Sequence, residues 1–95
     1  MANYKLTYSG QFRKDFKKYQ KQPKALTAIT EVFNLLSFQG VSALPERMKA
    51  HKLSGNYKGS WECHIFPDLL LIWDQEDNPI NEVHLIRLGS HAELF

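Results

Sequence analysis

Hydrophobic residues near the start of the chain follow two different spacings. Residues 4–8 alternate between apolar and polar side chains, which predicts a short first strand. Phe12, Phe16 and Tyr19 then recur at i, i+4 and i+7, the spacing of one face of an α-helix, and Ser9 suits its N-cap. The pattern therefore predicts a strand followed by an amphipathic helix.

A second helix is predicted after a break at Gln22-Pro23, because proline is tolerated at the first position of a helix. It ends near Gly40. Its apolar face is formed by Leu26, Ile29, Val32, Phe33 and Leu36. We expect the two helices to form a hairpin whose apolar faces pack against a sheet.

The second half of the chain predicts the rest of that sheet. Residues 40–59 are irregular, whereas 60–66, 69–73 and 81–88 have strand patterns separated by turns rich in Pro, Asp and Asn. Short turns join antiparallel neighbours. We therefore predict an α+β fold with the order β-α-α-β-β-β, an antiparallel sheet and the helical hairpin packed on one face.

Alternation within residues 60–66 assigns side chains to the two faces of the sheet. Trp61, Cys63 and Ile65 point one way, and Glu62 and His64 point the other. We expect the first face to pack under the helices, with Cys63 in a small buried site, and the second face to display His64. Since Cys63 is the single cysteine, an internal disulfide is excluded and a reducing compartment is favoured.

Composition indicates one globular domain over residues 1–95. Hydrophobic residues make up 43% of the chain, which argues against disorder, and no apolar run approaches the roughly 18 residues of a membrane-spanning helix. The N-terminus has no apolar stretch typical of a signal peptide. We therefore expect a soluble, cytoplasmic protein.

The net charge of +2 hides a strong asymmetry along the chain. Residues 1–24 contain seven basic side chains and one acidic side chain, a net charge of +6. Residues 62–95 contain seven acidic side chains and one basic side chain, a net charge of −6. The basic segment is consistent with an ordinary solvated helix face, or with a surface that attracts a polyanion.

Five polar residues carry the candidate chemistry: His51, His64, Asp68, Arg87 and His91. Imidazole titrates near neutral pH, and guanidinium binds phosphate in a fixed planar fork. The sequence contains no Gly-rich phosphate loop, CxxC pair or HExxH motif that would indicate another chemistry. These side chains together predict proton transfer at a phosphate.

Structural roles are an alternative for most of these residues. The remaining histidine, His84, matches no motif and is expected to be structural or exposed. The alternatives are a backbone contact for His51, a turn role for Asp68, an ion pair with Glu62 for Arg87 and a core-anchor role for Phe95.

Four segments together resemble the YafQ branch of the RelE/ParE superfamily of bacterial toxins. The members of this branch are messenger-RNA interferases of toxin–antitoxin pairs. The resemblance covers nearly the whole chain. The segments are Tyr8-Ser9-Gly10-Gln11-Phe12 with Lys14-Asp15; His51, Leu53, Gly55, Tyr57 and Gly59 at alternate positions; His64 with Pro67-Asp68; and Arg87, Gly89, His91 and Leu94-Phe95.

The resemblance implies a toxin that cleaves messenger RNA in the ribosomal A site, without metal or cofactor, through attack of a ribose 2′-hydroxyl on the adjacent phosphate. It also implies a cognate antitoxin, whose complex with the toxin binds promoter DNA. The implied functional positions are His51, His64, Asp68, Arg87, His91 and Phe95. We add Lys52 and Lys58 as candidate contacts to the RNA. One departure is visible, because the branch usually has tryptophan after the Pro-Asp turn, where this chain has Leu69; Trp73 is expected in the core.

This reaction needs a base, a cation at the phosphate and an acid for the leaving 5′-oxygen. We assign His91 as the general acid and Arg87 as the phosphate clamp, with His51, His64 and Asp68 sharing the base and orienting roles. Asp68 suits an orienting role, because a carboxylate stabilises an adjacent imidazolium. Phe95 is expected to stack on a nucleotide base.

Three other functions are compatible with parts of this pattern. A toxin of the same fold could inhibit a protein such as gyrase without catalysis, although such relatives do not rely on a histidine cluster. The basic segment could belong to a plain nucleic-acid-binding module. The histidines could instead hold a metal, but their spacing matches no common ligand motif.

Overall fold

The computed structural model describes residues 3–95, so Met1 and Ala2 of the predicted domain lie outside the described part. Strand β1 (Lys5–Tyr8) is followed by helix α1 (Gly10–Lys17) and helix α2 (Pro23–Gln39). The side chain of Ser9 caps α1 by accepting a hydrogen bond from the Phe12 amide at 2.9 Å. The predicted helical hairpin is confirmed, and no helix within residues 3–95 is long and apolar enough to cross a membrane.

The rest of the chain forms four strands and a short last helix. Three short 3-10 segments lie between α2 and the longer strands, at Gly40–Ala43, Glu46–Met48 and Gly55–Tyr57. The regular elements are β2 (His51–Lys52), β3 (Trp61–Phe66), β4 (Leu69–Glu76), β5 (Glu82–Gly89) and α3 (His91–Leu94). The five strands form one sheet in the order β1-β5-β4-β3-β2.

The α+β class is confirmed, but the sheet is mixed rather than antiparallel. Strand β1 pairs in parallel with β5, with Leu6 opposite Val83. Parallel neighbours need a long crossover connection, and here both long helices and strands β2, β3 and β4 lie between β1 and β5 in the chain. Alternation in a four-residue segment carries no information about strand direction. Strand β2 lies inside the segment expected to be irregular, and α3 was not predicted.

The main core lies between the helices and one face of the sheet. Phe12 is 1% exposed and stacks on Phe16, with ring centroids 5.9 Å apart, which confirms these two positions of the predicted apolar face. Helix α1 ends at Lys17, so Tyr19 packs on the same core from the turn that follows and not from the helix. Cys63 and Trp73 are fully buried on the sheet face beneath the helices. Burial raises the pKa of the Cys63 thiol to about 12, so this cysteine is a packing residue.

The opposite face of the sheet carries a smaller apolar cluster and the polar residues of the candidate site. Leu94 of α3 is buried there against Leu70 and Ile72 of β4, and Tyr57 from the third 3-10 segment packs on this cluster. Leu69 belongs to the main core instead and is 4% exposed. The departure at Leu69 therefore lies on the helix side of the sheet, away from His64.

Candidate active site

Strand register brings three of the predicted residues onto one face of the sheet. His51 lies opposite Glu62, Glu62 opposite Ile72, and Ile72 opposite Arg87. Residues in register across a sheet project to the same side. His64 follows Glu62 by two residues on β3 and so shares this face. The sheet thus gathers two histidines and the arginine from segments far apart in the chain.

The β3–β4 turn and helix α3 bring the other two predicted residues to this face. The Asp68 carboxylate oxygen Oδ1 accepts a hydrogen bond from the His91 amide at 3.0 Å and lies 3.2 Å from His91 Nδ1. Ser90 and Glu93 form a capping box that fixes the start of α3. Hydrogen bonds from the His91 amide and ring lower the pKa of Asp68. Asp68 therefore orients His91, and no hydrogen bond joins it to His51 or His64 in residues 3–95.

Aromatic contacts complete the cluster around His91. The rings of His64 and His91 have centroids 5.8 Å apart, and those of His91 and Phe95 lie 6.3 Å apart. Phe95 also meets the Tyr57 ring edge-on at 5.8 Å. Phe95 remains 61% exposed, so it is available to a ligand and is not a core anchor. This geometry suits a ring that stacks on a base.

Glu62 is a member of the site that sequence reasoning did not assign. Its side chain is 5% exposed, and its Oε1 lies 3.3 Å from His51 Nε2 and 3.8 Å from His64 Nε2. Its other oxygen, Oε2, is buried without a hydrogen-bond partner among the described residues. A buried carboxylate is costly unless it is paired. Alternation placed Glu62 on the face of His64, but only the β2–β3 register adds His51.

His51 is held through both ring nitrogens. Its Nδ1 lies 2.8 Å from the carbonyl oxygen of Lys49, and its Nε2 faces Glu62. Because a carbonyl oxygen only accepts, Nδ1 is the donor in that contact. Lys49 itself has a left-handed backbone, with φ of 51°, which turns its carbonyl toward the ring. His51 is thus fixed in place although it is half exposed.

Arg87 pairs with Asp15 of α1, not with Glu62. Arg87 Nε donates to Asp15 Oδ2 at 2.8 Å, Nη2 lies 3.4 Å from Oδ1, and the Leu88 amide donates to Oδ2 at 3.0 Å. Arg87 Nη1 makes a long contact of 3.4 Å with the Tyr57 hydroxyl. Burial acts to raise the pKa of Asp15, but hydrogen bonds from Arg87, Leu88 and Gln11 outweigh it and lower that pKa. The hydrogen bond with Asp15 is the largest cause that raises the pKa of Arg87.

Three other residues from the sequence analysis lie elsewhere. Lys52 projects to the opposite face, where its Nζ lies 5.6 Å from the centre of the Trp61 ring. Lys58 is exposed in the loop after Tyr57. His84 contacts the Thr7 hydroxyl through Nδ1 at 2.7 Å, which agrees with a structural role. The structure therefore does not bring Lys52 or His84 to the cluster around His91.

The side chains of the site suit acid–base chemistry at an anion more than metal binding. Within the described residues, no three His, Cys, Asp or Glu side chains are grouped so that they could hold a metal ion. The site instead consists of imidazoles, a guanidinium and an aromatic ring on the face of the sheet opposite α1 and α2. Such a surface can transfer protons and stabilise negative charge on a bound phosphate.

The fold and the sequence place this chain among small bacterial toxins. The fold is similar to that of a YoeB/ParE toxin from Agrobacterium tumefaciens, with a TM-score of 0.74 over 92% of this chain and 98% of that chain; the identity is 15%, so the likeness concerns the fold alone. Residues 4–95 match the family described as the bacterial toxin of type II toxin–antitoxin systems, YafQ. The chain belongs to the YafQ toxin family, which confirms the sequence-based resemblance.

Two relatives from Escherichia coli support this assignment over the full length. The mRNA interferase toxin YafQ of strain K12 is 35% identical over 95 residues, which cover 100% of this chain and 99% of that protein. A toxin chain in a crystal structure of the DinJ–YafQ toxin–antitoxin complex gives a TM-score of 0.83 at 34% identity, covering 99% of both chains.

Proposed function

We propose that this chain is an mRNA interferase, an endoribonuclease that cleaves ribosome-bound mRNA in the A site and thereby inhibits translation. In this proposal the ribose 2′-hydroxyl attacks the adjacent phosphate, the 5′-oxygen leaves, and no metal takes part. The observation that carries the proposal is the grouping of His64, His91 and Arg87 on one exposed face, each held by an acidic side chain or a ring contact. Membership in the YafQ family supports the same class of reaction.

His91 is the general acid in this mechanism. Its Nδ1 faces the Asp68 carboxylate, so that nitrogen carries a proton and Nε2 is directed elsewhere. Asp68 thereby fixes the ring, whose imidazolium form is the one able to protonate a leaving 5′-oxygen. General acid catalysis of this kind contributes about 10²–10⁴-fold to a rate.

His64 is the base that we assign, and His51 holds Glu62 beside it. The two ring nitrogens of His51 contact the Lys49 carbonyl and the Glu62 carboxylate. His64 has one nitrogen toward Glu62 and lies beside His91, so its other nitrogen is the candidate acceptor of the 2′-hydroxyl proton. Glu62 then stabilises the imidazolium that forms on His64.

Arg87 is the phosphate clamp. Of the five N–H donors of a guanidinium, Asp15 engages two and the Tyr57 hydroxyl engages one at long range. Two donors therefore remain for phosphate oxygens. The ion pair with Asp15 fixes the plane of the guanidinium before substrate binds, and preorganised donors of this type are worth about 3–4 kcal/mol of transition-state stabilisation.

The expected partners follow from the family. We propose that a cognate antitoxin binds and silences this toxin, that the complex binds promoter DNA through the antitoxin, and that the toxin acts in the cytoplasm, where ribosomes and mRNA are found. The toxin in the DinJ–YafQ complex provides the model for such a pairing. Lys58 and Phe95 are candidate contacts to the RNA. Lys52 would reach RNA only if it extends around the edge of the sheet.

Primer extension on mRNA after brief induction tests this proposal. Wild type is expected to produce new 5′ ends inside coding sequences and to arrest growth, and His91→Ala is expected to do neither while remaining folded. Intact mRNA together with arrested DNA replication would favour a toxin that inhibits a protein target such as gyrase. Full cleavage by a folded Arg87→Ala/His91→Ala double variant would contradict the mechanism.

A further inference from the structure

A cleft of about 440 Å³ lies at the edge of the sheet beside the second half of β3, next to the candidate site. Strand β2 is only two residues long and pairs with Trp61 and Glu62, so among residues 3–95 no strand continues beside the rest of β3 on that side. The 3-10 segment Glu46–Met48 packs there instead. The residues that line the cleft are Arg47, Lys49, His64, Ile65, Phe66 and Pro67.

The 3-10 segment holds two cations at this cleft. Its last residue, Met48, is 5% exposed and belongs to the main core, whereas Arg47 and Lys49 on either side of it are exposed. The Lys49 amide donates to the Glu46 carbonyl at 2.9 Å, and the Lys49 carbonyl accepts from His51 Nδ1 at 2.8 Å. The backbone that carries both cations is therefore anchored on the core and on a residue of the candidate site.

No carboxylate of the described residues compensates the positive charge of the cleft. No Asp or Glu side chain of residues 3–95 lines it, and neither Arg47 nor Lys49 forms an ion pair within that part of the chain. Apart from these two cations and His64, the lining side chains are apolar. Two unpaired cations above apolar walls suit an anion, and a guanidinium binds phosphate through its planar fork of donors.

His64 joins this cleft to the proposed reaction. As the assigned base, it takes the proton from the 2′-hydroxyl of the nucleotide on the 5′ side of the cut, so that ribose lies against His64. Along β3, Glu62 precedes His64 and the apolar walls follow it, so the cleft lies beyond His64 in the direction away from Glu62. Arg87 and His91 do not line it. Since these two residues act on the 3′ side of the ribose, the cleft lies beside the RNA in the 5′ direction.

Resting on the proposed function, we propose that this cleft is a phosphate subsite, in which Arg47 and Lys49 bind the phosphate immediately upstream of the phosphate that is cut. Contacts from Arg and Lys to phosphates fix the register of a nucleic acid without reading its sequence. The subsite would therefore hold the attacking ribose against His64 whatever the codon. It would act by positioning the RNA and not by transferring a proton.

The test measures cleavage of synthetic mRNAs on programmed ribosomes, with the linkage immediately 5′ of the mapped cut changed to an uncharged methylphosphonate. A 2′-O-methyl group on the nucleotide before that linkage keeps it stable, and the reference mRNA carries the same group with an ordinary phosphate. The neutral linkage is expected to lower kcat/KM of the wild type by about 3- to 20-fold, between the values for an exposed ion pair and a charge-assisted hydrogen bond.

The double variant Arg47→Gln/Lys49→Gln should cleave the reference mRNA less well by a similar factor, and its penalty from the neutral linkage should shrink toward one. Lys21→Gln/Lys24→Gln is the matched control, because it also removes two exposed positive charges, but from the connection between α1 and α2 and the start of α2, outside the cleft. The control should keep the full penalty, and thermal unfolding verifies that both double variants are folded.

Three results would overturn the inference while leaving the proposed function intact. They are the absence of a penalty in wild type, an equal penalty in wild type and Arg47→Gln/Lys49→Gln, and a cleft variant that cleaves both mRNAs like wild type but loses affinity for a poly-glutamate peptide. The last result would assign the cleft to an acidic protein segment. Wild-type protein that leaves the reference mRNA intact would instead defeat the proposed function, and this inference with it.

Discussion

Asp15 and Arg87, 72 positions apart in the chain, form the ion pair that connects helix α1 to the candidate active site. The Nε–Oδ2 distance is 2.8 Å, and the side chain of Asp15 is 3% exposed while that of Arg87 is 21% exposed. Asp15 also accepts a hydrogen bond from the Leu88 amide, on the edge of β5 beyond the end of β1. The Asp15 carboxylate thus accepts the Leu88 amide at the edge of β5 and fixes the orientation of Arg87, the candidate phosphate clamp.

Asp15→Asn should weaken both the fold and the reaction. The amide keeps an acceptor for the Leu88 amide but loses the charge-assisted contact with Arg87. We expect the free energy of unfolding to fall by about 1–3 kcal/mol, as measured by urea denaturation at pH 7. We also expect lower kcat, because Arg87 is no longer held in one plane. Glu31→Gln, which changes an exposed acidic residue of α2 away from the site, is the control.

The same pair predicts how stability depends on pH. The pKa of Asp15 is lowered in the folded protein, so its stabilising contribution is present above the unfolded-state pKa and is lost as the pH falls through the folded-state value. From about pH 5 downward, the difference in unfolding free energy between wild type and Asp15→Asn should therefore shrink. A difference that stays constant between pH 7 and pH 3 would show that the pair does not stabilise the fold through charge.

Glu62→Gln should separate activity from stability. The substitution keeps the shape of the side chain but removes the charge that faces His51 and His64. We expect kcat to fall by about 10- to 150-fold with little change in KM, corresponding to loss of a charge-assisted hydrogen bond of about 1.5–3 kcal/mol. The unfolding free energy should not fall, because the variant no longer buries an unpartnered carboxylate oxygen.

Glu76→Gln is the matched control for Glu62→Gln, since Glu76 is exposed at the end of β4. It should leave both kcat and stability unchanged. If Glu62→Gln instead destabilised the protein and left kcat intact, Glu62 would have a structural role only.

Substitutions at His91 and at Asp68 should lower kcat to different extents. His91→Ala removes the proposed acid, so kcat should fall by about 10²–10⁴-fold. Asp68→Asn keeps a hydrogen-bond acceptor for the His91 amide and removes only an exposed charge, so the loss should stay within about fivefold. Single-turnover cleavage assays on both variants measure the ratio, and equal losses would argue against His91 as the group that transfers the proton.

The sheet was predictable because its evidence is local. Residues 60–66 alternate, residues 69–73 form a nearly continuous apolar run, and short turns separate these segments and 81–88, so β3, β4 and β5 and their antiparallel pairing follow from sequence. The parallel position of β1 does not, since its partner lies at the far end of the chain. Helix α3 has a local indication that the sequence analysis passed over, the Ser90 and Glu93 pair of a capping box.

The candidate site was predictable in its residue types more than in its pairings. The histidines and Arg87 stand out because imidazole and guanidinium suit phosphate chemistry. Asp15 and Glu62 do not stand out, because a carboxylate on a basic helix or a strand has many possible roles. Their partners depend on strand register and on how α1 meets the edge of β5, and neither is encoded in neighbouring residues.

The most direct test of the central claim is the chemistry of the cut ends. Wild type and His91→Ala are first stripped of bound metal with EDTA and desalted, then incubated in Mg²⁺ buffer with programmed ribosomes that carry a synthetic mRNA, and the fragments are analysed by mass spectrometry. We predict 2′,3′-cyclic phosphate ends from wild type at an undiminished rate, and almost none from His91→Ala. Cleavage that is lost from metal-stripped wild type and returns when a transition metal is added, or wild-type fragments that never carry a cyclic phosphate, would contradict the proposed 2′-hydroxyl mechanism.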